Sequence, residues 1–400
     1  MAGILEGLRV VDMGHNIAIP AAGAIMADWG AEVIKVEPLT GDVLRGAQRI
    51  QGVDMGPVNA GVEFLNRNKK SLAVDLKKEP GRDILYQLVQ KADVFLSNYE
   101  VSALKKLKAD YATLSQLNHK LIYGILTGYG TVGPDKDERA FDYTAGWARS
   151  GTQHLIREPG GSPPAQRIGM YDRTAGMQCV AGVCAALVHR EKTGKGQELE
   201  LSLYHTGVYT IASDIQNALM GLPERKQDRT KMTNPLWNSY HAKNDQWFQL
   251  AMQQSHLHWP GFCRAIERPE LENDPRFNTM QKRTENGEEL IGILDNIFAS
   301  KNRDEWEKPF RENGVIYGLV ATPLEVVNDP QALANDFFAE IDHPAVGKLK
   351  LVTMPIKFRQ NPASVRTPAP EVGQHTEEIL LDLGYSWEDI AQLKEQGAIL

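Results

Sequence analysis

The 400-residue sequence has few cysteines, no long apolar run and no excess of positive charge. Its three cysteines, Cys179, Cys184 and Cys263, form no Cys-x-x-Cys pair, which argues against structural disulfides or a zinc cluster and is typical of a reducing compartment. The net charge of −7 argues against a general nucleic-acid binder. No apolar stretch approaches the ~20 residues of a membrane span, and no leader pattern precedes the first strand-like segment. We therefore expect a cytoplasmic protein without a metal site, a nucleic-acid partner or a membrane partner.

Several familiar nucleotide and nucleophile motifs are also missing. The loop Gly14–Pro20 follows a strand but lacks the Gly-x-Gly-x-x-Gly pattern, so NAD binding is disfavoured even though Glu37 lies near the position of a ribose-binding acid. The glycine-rich stretch Thr127–Pro134 lacks the Lys-Ser/Thr pair of a phosphate-binding P-loop. Gly-x-Ser-x-Gly and His-Glu-x-x-His are absent as well.

The first half of the chain alternates short apolar strands with helical patterns. This alternation predicts an α/β fold built on a doubly wound, Rossmann-like parallel sheet, in which ligands bind at the carboxyl ends of the strands. The predicted strands are Leu8–Met13, Ala31–Glu37, Ser71–Leu76, Ala92–Leu96, Leu121–Leu126 and Gly196–Gly207.

Four hundred residues exceed what one hydrophobic core usually serves, so we expect two domains. Residues 1–220 would form the first part of a large, ligand-binding α/β domain. Residues 221–325 would form a smaller α+β domain, and residues 326–400 would return to complete the large one.

One carboxylate stands out at the start of a helical segment of small apolar residues. Asp172 precedes Met177, Val180 and Cys184, which are spaced for one helix face. An aspartate at this place suits a helix N-cap, although a capping box calls for Glu or Gln where Ala175 stands. A carboxylate at a helix N-terminus is also held ionised and can attack an acyl group. The pattern alone leaves both interpretations open.

Several blocks of sequence resemble a known family in the same order along nearly the whole chain. The blocks are ADWGAEVIKVEPLTGDVLRG, NRNKKSLAVDLKKEPGR, KADVFLSN, TGYGTVGP, HREKTGKGQELELSL and GQHTEEILLDLGYS. They are similar to class III CoA-transferases, the CaiB/BaiF family, and nearest to the type acting on phenyllactate and other 2-hydroxy acids. A shared fold alone would not reproduce the loops between strands and helices.

The resemblance implies a function and a site. Asp172 would be the catalytic nucleophile, moving CoA from an acyl-CoA to a carboxylic acid through an aspartyl anhydride and an aspartyl-CoA thioester. Coenzyme A would be a substrate with no cofactor tightly bound, and two copies of the chain would interlock as a homodimer. The large domain would bind CoA through His15, Asn16, Ile17, Ala18, Val74, Lys77, Asn98, Tyr99, Lys105, Arg139 and Phe141.

Two other functions remain open. Related α-methylacyl-CoA racemases pair the aspartate with a histidine where Phe141 stands, and phenylalanine cannot carry a proton. A catalytically silent CoA-binding protein is the other alternative, although an intact Asp172 counts against it. Oxalate-processing relatives carry glutamine at Ile17, and some members carry arginine at Pro38. We therefore expect a medium-sized apolar or aromatic acceptor acid, with a pocket that Tyr143, Trp147, Trp237 and Tyr240 could line.

Overall fold

The computed structural model describes residues 3–46, 49–50, 53–54, 57–224, 228–243 and 245–400. The chain divides into two compact units. The first takes in residues up to 153, residues 165–222 and residues 333–400, and the second takes in residues 154–164 and 223–332. The division at residues 220 and 325 that the sequence suggests stays a prediction.

The helices and strands follow one another in a largely alternating order. The strands are β1 Arg9–Met13, β2 Glu32–Glu37, β3 Arg49–Ile50, β4 Val53–Asp54, β5 Lys70–Ala73, β6 Val94–Ser97, β7 Ile122–Thr127, β8 Gln197–Ser202, β9 Ser239–Ala242, β10 Gln246–Leu250, β11 Tyr317–Leu319, β12 Phe338–His343 and β13 Gly347–Val352. The α-helices are α1 Ala18–Asp28, α2 Val43–Gly46, α3 Ala60–Asn66, α4 Glu79–Gln90, α5 Val101–Lys106, α6 Tyr111–Leu117, α7 Thr152–Leu155, α8 Met170–Thr193, α9 Leu203–Thr210, α10 Ala212–Leu219, α11 Ser255–Ala265, α12 Met280–Glu285, α13 Gly287–Phe298, α14 Glu307–Glu312, α15 Pro323–Val327, α16 Pro330–Ala334, α17 Thr376–Leu383 and α18 Trp387–Glu395. A π-helix spans Tyr143–Arg149, and 3₁₀ turns span Arg229–Lys231, Pro269–Glu272 and Arg303–Trp306.

A six-stranded sheet forms the centre of the first unit. Its order is β5-β2-β1-β6-β7-β8, and every neighbouring pair is parallel. The predicted parallel α/β sheet is therefore confirmed. The chain adds strands on one side of β1 and then places β6 on the other side, so the direction of winding reverses between β1 and β6. Ligands of such sheets bind outside the carboxyl ends of the strands at this switch point.

The two faces of the sheet bury different sets of side chains, because neighbouring residues of a strand point to opposite faces. Val11 of β1 belongs to the apolar cluster that includes residues of α4, α17 and α18. Val10 belongs to the cluster on the other face, which includes residues of α1 and α8. Towards the carboxyl end of this second face, Asp12 and Lys35 are buried partners in adjacent strands.

One predicted strand is too long. The pattern over Gly196–Gly207 predicts extended backbone throughout, but β8 ends at Ser202. The Ser202 side chain accepts a hydrogen bond from the backbone N–H of His205 and caps α9. The local preference of serine for a helix N-cap therefore outweighs the continuing alternation of residue types.

The second unit has a core of its own. Strands β9, β10 and β11 form an antiparallel sheet. Phe248 of this sheet packs against Phe298 and Phe310, with ring centroids 4.7 and 5.3 Å apart. Among the residues that the structure describes, no helix in either unit is both long and apolar enough to cross a membrane.

Candidate active site

Asp172 lies in the first turn of α8, and it is not the N-cap. The helix begins at Met170, and Gly169 occupies the N-cap position with φ of 71°, in the left-handed region that favours glycine. Glycine has no side chain to cap the helix, and no side-chain cap hydrogen bond is present at this helix start in the described segment. The N-cap interpretation of Asp172 is therefore wrong by three residues, since the helix starts before the apolar periodicity does.

The start of α8 is fixed by close packing against α1. A Cβ atom added at Gly176 would lie 2.8 Å from the carbonyl oxygen of Ala18, so only glycine allows this approach. A Cβ atom at Gly169 would lie 2.9 Å from the Ile17 side chain. The beginning of α1 and the beginning of α8 are thus adjacent, and Ile17 and Asp172 are carried to the same place.

Tyr171 anchors the same turn of α8 from the side of the π-helix. Its hydroxyl donates to Thr152 Oγ1 at 2.8 Å, and its ring lies where a Cβ atom at Gly146 would clash at 2.8 Å. Tyr171 is buried, so its neighbour Asp172 has a defined backbone position. π-Helices occur frequently at functional sites.

Asp172 lines a cavity of about 350 Å³ at the switch point of the sheet. Its wall is built from the segments after β1, β6 and β7, from the segment before the π-helix, and from the start of α9. The lining residues are His15, Asn16, Ile17, Asn98, Tyr99, Glu100, Val101, Ser102, Leu126, Thr127, Gly128, Lys136, Asp137, Glu138, Arg139, Ala140, Phe141, Asp172 and Leu203.

Side-chain amides hold the segment after β1 against the segment after β6. The backbone N–H of His15 donates to Asn98 Oδ1 at 2.9 Å, and Asn98 Nδ2 donates back to the His15 carbonyl at 3.0 Å. The His15 ring lies 5.0 Å from the ring of Tyr99. Burial lowers the pKa of His15, while the charge of Asp42 raises it by a smaller amount. Burial therefore favours the neutral form of the His15 imidazole.

The carboxyl group of Asp172 titrates near neutrality. Burial is the largest cause, the charge of Asp142 adds to it, and the charge of Arg173 opposes it, so that the pKa of Asp172 is raised to about 7. A carboxylate of this basicity is a stronger nucleophile than an ordinary aspartate and is still ionised in part at pH 7.

Asp142 is the buried neighbour that keeps this pKa high. Burial raises the pKa of Asp142, while the backbone N–H groups of Tyr171, Tyr143 and Asp172 and the charge of Arg173 lower it. Its Oδ2 atom has no hydrogen-bond partner among the described residues. The two carboxyl groups therefore share a poorly solvated region in which both cannot ionise without cost.

The cavity gathers part of the set of residues that the sequence suggested. His15, Asn16, Ile17, Asn98, Tyr99, Arg139, Phe141 and Asp172 line it together. Ala18, Val74, Lys77 and Lys105 are absent from the described lining: Ala18 and Val74 are buried, and the two lysines are exposed. A role for any of the twelve in CoA binding or catalysis stays a prediction.

Some residues of the site were not singled out from the sequence. Leu126 and Leu203 supply apolar wall, and Glu100 and Lys136 supply charge. Asp142 is the most consequential omission. Asp142 directly follows Phe141, one of the residues named from the sequence. Its burial beside Asp172, 30 positions later, is a property of the tertiary fold that the sequence pattern does not show.

The four aromatic residues suggested for an acyl pocket do not line this cavity in the described structure. Trp147 and Tyr240 are buried core residues. The Tyr143 hydroxyl donates to the carbonyl of Gln166, and Trp237 lines a different cavity within the second unit. The aromatic side chains that do line the cavity include Tyr99 and Phe141, and 66% of Phe141 is exposed.

Comparisons with known proteins give the family. The model of CoA-transferase family III matches residues 5–376. The chain is 35% identical over 400 residues to an (R)-2-hydroxy-4-methylpentanoate CoA-transferase of Clostridioides difficile, covering 99% of both proteins. It is 33% identical over 402 residues to a cinnamoyl-CoA:phenyllactate CoA-transferase of Clostridium sporogenes, covering 99% of this chain and 97% of that protein.

A solved structure agrees with these sequence comparisons. The crystal structure of a CaiB/BaiF family protein from Brucella suis superimposes with a TM-score of 0.85 at 27% identity, covering 96% of this chain and 100% of that one. The family model, the relatives and the solved structure therefore match this chain over nearly its whole length. The resemblance seen in the sequence is confirmed, and the chain belongs to the family III CoA-transferases, the CaiB/BaiF family.

Proposed function

We propose that this enzyme transfers CoA through covalent intermediates on Asp172. The Asp172 carboxylate attacks the thioester carbon of the donor acyl-CoA, the C–S bond breaks, and a mixed anhydride and the CoA thiolate result. The thiolate attacks the aspartyl carbonyl of the anhydride and releases the donor carboxylate, which leaves an aspartyl-CoA thioester. The acceptor carboxylate then repeats the two steps in reverse, which keeps the thioester energy from being lost to hydrolysis.

The observation that carries this proposal is the placement of Asp172 in the cavity at the switch point of the sheet. A pKa of about 7 supports it as well, because the carboxylate is basic enough to attack yet ionised in part at neutral pH. Arg139 at the cavity rim and the exposed Lys77 and Lys105 are suited to the CoA phosphates. CoA is a substrate in this scheme, and the proposal includes no tightly bound cofactor.

The proposed acceptor is a medium-sized apolar or aromatic carboxylic acid. Ile17, Leu126, Phe141 and Leu203 give the cavity an apolar side. The related proteins named above act on 2-hydroxy-4-methylpentanoate and on phenyllactate, which are acids of this size. Oxalate outperforming every larger acid in a matrix of CoA donors and acid acceptors would refute this part.

We further propose that the enzyme is a homodimer. None of the eight residues of α10, all of which the structure describes, is buried. Leu219 of this helix is an exposed apolar residue, and so are Tyr209, Met220 and Leu222 in the segments that flank it. Exposed apolar side chains grouped together are typical of an interaction site, and a second copy of the chain is the occupant that we propose. A stable monomer in sedimentation at micromolar concentration would contradict this.

The nucleophile is tested by trapping. Wild-type enzyme is incubated with an acyl-CoA but no acceptor, treated with hydroxylamine or borohydride, and mapped by peptide mass spectrometry. We expect one modified carboxylate, in the peptide that contains Asp172. Asp172→Asn should bind CoA normally and lose at least ~10³-fold in transfer rate, because the covalent step is deleted.

Two results would contradict the mechanism. If the Asp172→Asn variant retains the wild-type transfer rate, a covalent step on Asp172 is excluded. Exchange of the α-proton of an acyl-CoA with D₂O, without CoA transfer, would favour a racemase instead. We do not expect exchange, because Phe141 stands where the second proton carrier would be needed.

A further inference from the structure

A buried ion pair lies behind the segment that follows β1. Lys35 is on β2, and Asp42 lies between β2 and α2. Their side chains are 0% and 1% exposed, and Lys35 Nζ lies 2.8 Å from Asp42 Oδ2. Neither residue lines the described cavity, so neither is placed to contact a substrate there.

Both members of the pair bind the backbone of that segment. Lys35 Nζ donates to the carbonyl oxygen of Gly14 at 3.0 Å. Asp42 Oδ1 accepts from the backbone N–H of Asn16 at 3.1 Å. The pair thus holds one peptide group on each side of His15, whose ring lies in the cavity wall.

Asn16 needs such support. Its φ of 58° is in the left-handed region, which residues other than glycine rarely adopt. A backbone held in a sparsely populated conformation persists only where its surroundings over-determine it, and such residues cluster at functional sites. Without the acceptor on Asp42, the Asn16 N–H would lose a charged partner in a region with little water.

The charges around the pair keep both members ionised. Burial lowers the pKa of Lys35, but the charges of Asp12, Asp42 and Glu37 outweigh burial and raise it overall. Burial raises the pKa of Asp42, but Lys35 and the backbone N–H groups of Leu44 and Asn16 together outweigh burial, and the net pKa is lowered. Asp12 also accepts from the Gly14 N–H at 2.9 Å. The segment is therefore held by charged groups on three of its backbone atoms.

Fold stability is a weak reason for this arrangement. A buried ion pair repays little of the desolvation of its charges, and apolar residues of similar volume often stabilise a core as well or better. What apolar residues cannot do is bind the Gly14 carbonyl and the Asn16 N–H. We propose that Lys35 and Asp42 are positioning residues, which hold Gly14–Asn16 so that His15, Asn16 and Ile17 orient acyl-CoA beside Asp172. This rests on the proposed function.

The chain offers a closely matched control. Asp28 and Arg67 form another pair, with side chains 2% and 1% exposed and Arg67 Nη2 2.7 Å from Asp28 Oδ2. Neither lines the cavity in the described structure. Asp42→Asn and Asp28→Asn each replace one buried carboxylate by an amide facing a buried cation. Both variants should therefore lose thermal stability, and the loss in each is measured before the kinetic constants are compared.

Kinetics and CoA binding distinguish the two variants. At a temperature well below both unfolding transitions, we expect Asp42→Asn to lose roughly 10- to 100-fold in kcat/KM for acyl-CoA, because misplacement of a substrate by about 1 Å costs that much. Calorimetric titration should show weaker binding of free CoA. Asp28→Asn should keep wild-type values for both. Equal kinetic constants for the two variants would overturn the proposal.

A double variant separates positioning from stability and is informative even if Asp42→Asn does not fold. Lys35→Met/Asp42→Asn removes both charges, so no unpaired charge stays buried, and stability should recover. The link from Lys35 to the Gly14 carbonyl is still missing, so kcat/KM and CoA affinity should stay low. Recovery of activity together with stability would refute positioning.

Failure of this inference and failure of the proposed function can be distinguished. If trapping in the wild-type enzyme modifies a residue other than Asp172, the assignment of Asp172 as the nucleophile is wrong. The comparison of CoA affinity between Asp42→Asn and Asp28→Asn does not depend on that result, since it involves no chemical step.

Discussion

Asp172→Asn should make the protein inactive and, at pH 8, more stable. In the folded state the pKa of Asp172 is raised from 3.8 to about 7, first by burial and then by the charge of Asp142, against the charge of Arg173. A carboxyl whose folded pKa is raised contributes stability that is fully present below pH ~4 and is lost as the pH rises through about 7. At pH 8 the wild-type enzyme therefore bears the full cost of the buried charge, and asparagine bears none.

Burial of the Asp172 charge destabilises the folded protein, whereas the helix dipole stabilises it. The larger of the two free energies decides the sign of the change. A rise of roughly 3 pKa units corresponds to about 4 kcal/mol in the free energy of unfolding, at about 1.36 kcal/mol per unit. A carboxylate in the first turn of a helix gains only about 0.3–1 kcal/mol from the helix dipole, and Asp172 makes no capping hydrogen bond that would be lost. The cost of burial is larger, so we expect Asp172→Asn to gain about 1–3 kcal/mol at pH 8.

Urea unfolding of both proteins at pH 5, 6, 7 and 8 measures this gain. Groups remote from the site titrate alike in both proteins, so the difference between the two curves reports the Asp172 carboxyl together with its coupling to Asp142. The gain should be small at pH 5 and should grow through pH 7. A variant that is less stable at pH 8, or a difference that does not change with pH, would show that Asp172 is not a destabilised, partly buried carboxylate.

Three further substitutions test the surroundings of this residue. Asp142→Asn removes a like charge, so the acidic limb of the pH–kcat/KM profile should move down by about one pH unit with the pKa of Asp172; an upward move would contradict the electrostatic argument. Gly176→Ala should destabilise the protein by about 1–3 kcal/mol, because its Cβ would lie 2.8 Å from the α1 backbone. Gly182→Ala in the same helix is the control: its Cβ would meet only a leucine methyl group at 3.6 Å, so no destabilisation is expected. Phe141→Ala should leave stability unchanged but raise the KM for an aromatic acyl-CoA about fivefold more than that for acetyl-CoA; equal changes would remove the ring from the acyl site.

The parallel sheet could be predicted because its strands are short apolar runs separated by helical patterns. Arg9–Met13 and Ile122–Thr127 lie close to their predicted positions. The end of β8 was missed because alternation continues past Ser202, while the capping hydrogen bond to His205 stops the strand. Patterns of hydrophobicity average over several residues, and a single side-chain to backbone bond decides where an element ends.

Part of the site could be predicted from the same pattern of strands. The carboxyl ends of parallel strands meet at one edge, so His15 and Asn98 could be expected near each other, and the structure joins them by two hydrogen bonds. Lys35 and Asp42 could not be recognised, because a lysine in a strand is usually solvated. Only the register that places Lys35 beside Asp12 shows that this lysine is buried.

The properties of Asp172 come from distant parts of the chain rather than from its own helix. Gly176 lets α1 approach, and that approach helps to exclude water from the first turn of α8. Asp142 then adds a negative charge from a segment 30 residues earlier. A helix start alone would favour the ionised carboxylate and lower its pKa. The fold produces the opposite shift, because desolvation and like charge outweigh the dipole, and this opposite shift is what a carboxylate needs to act as a nucleophile near pH 7.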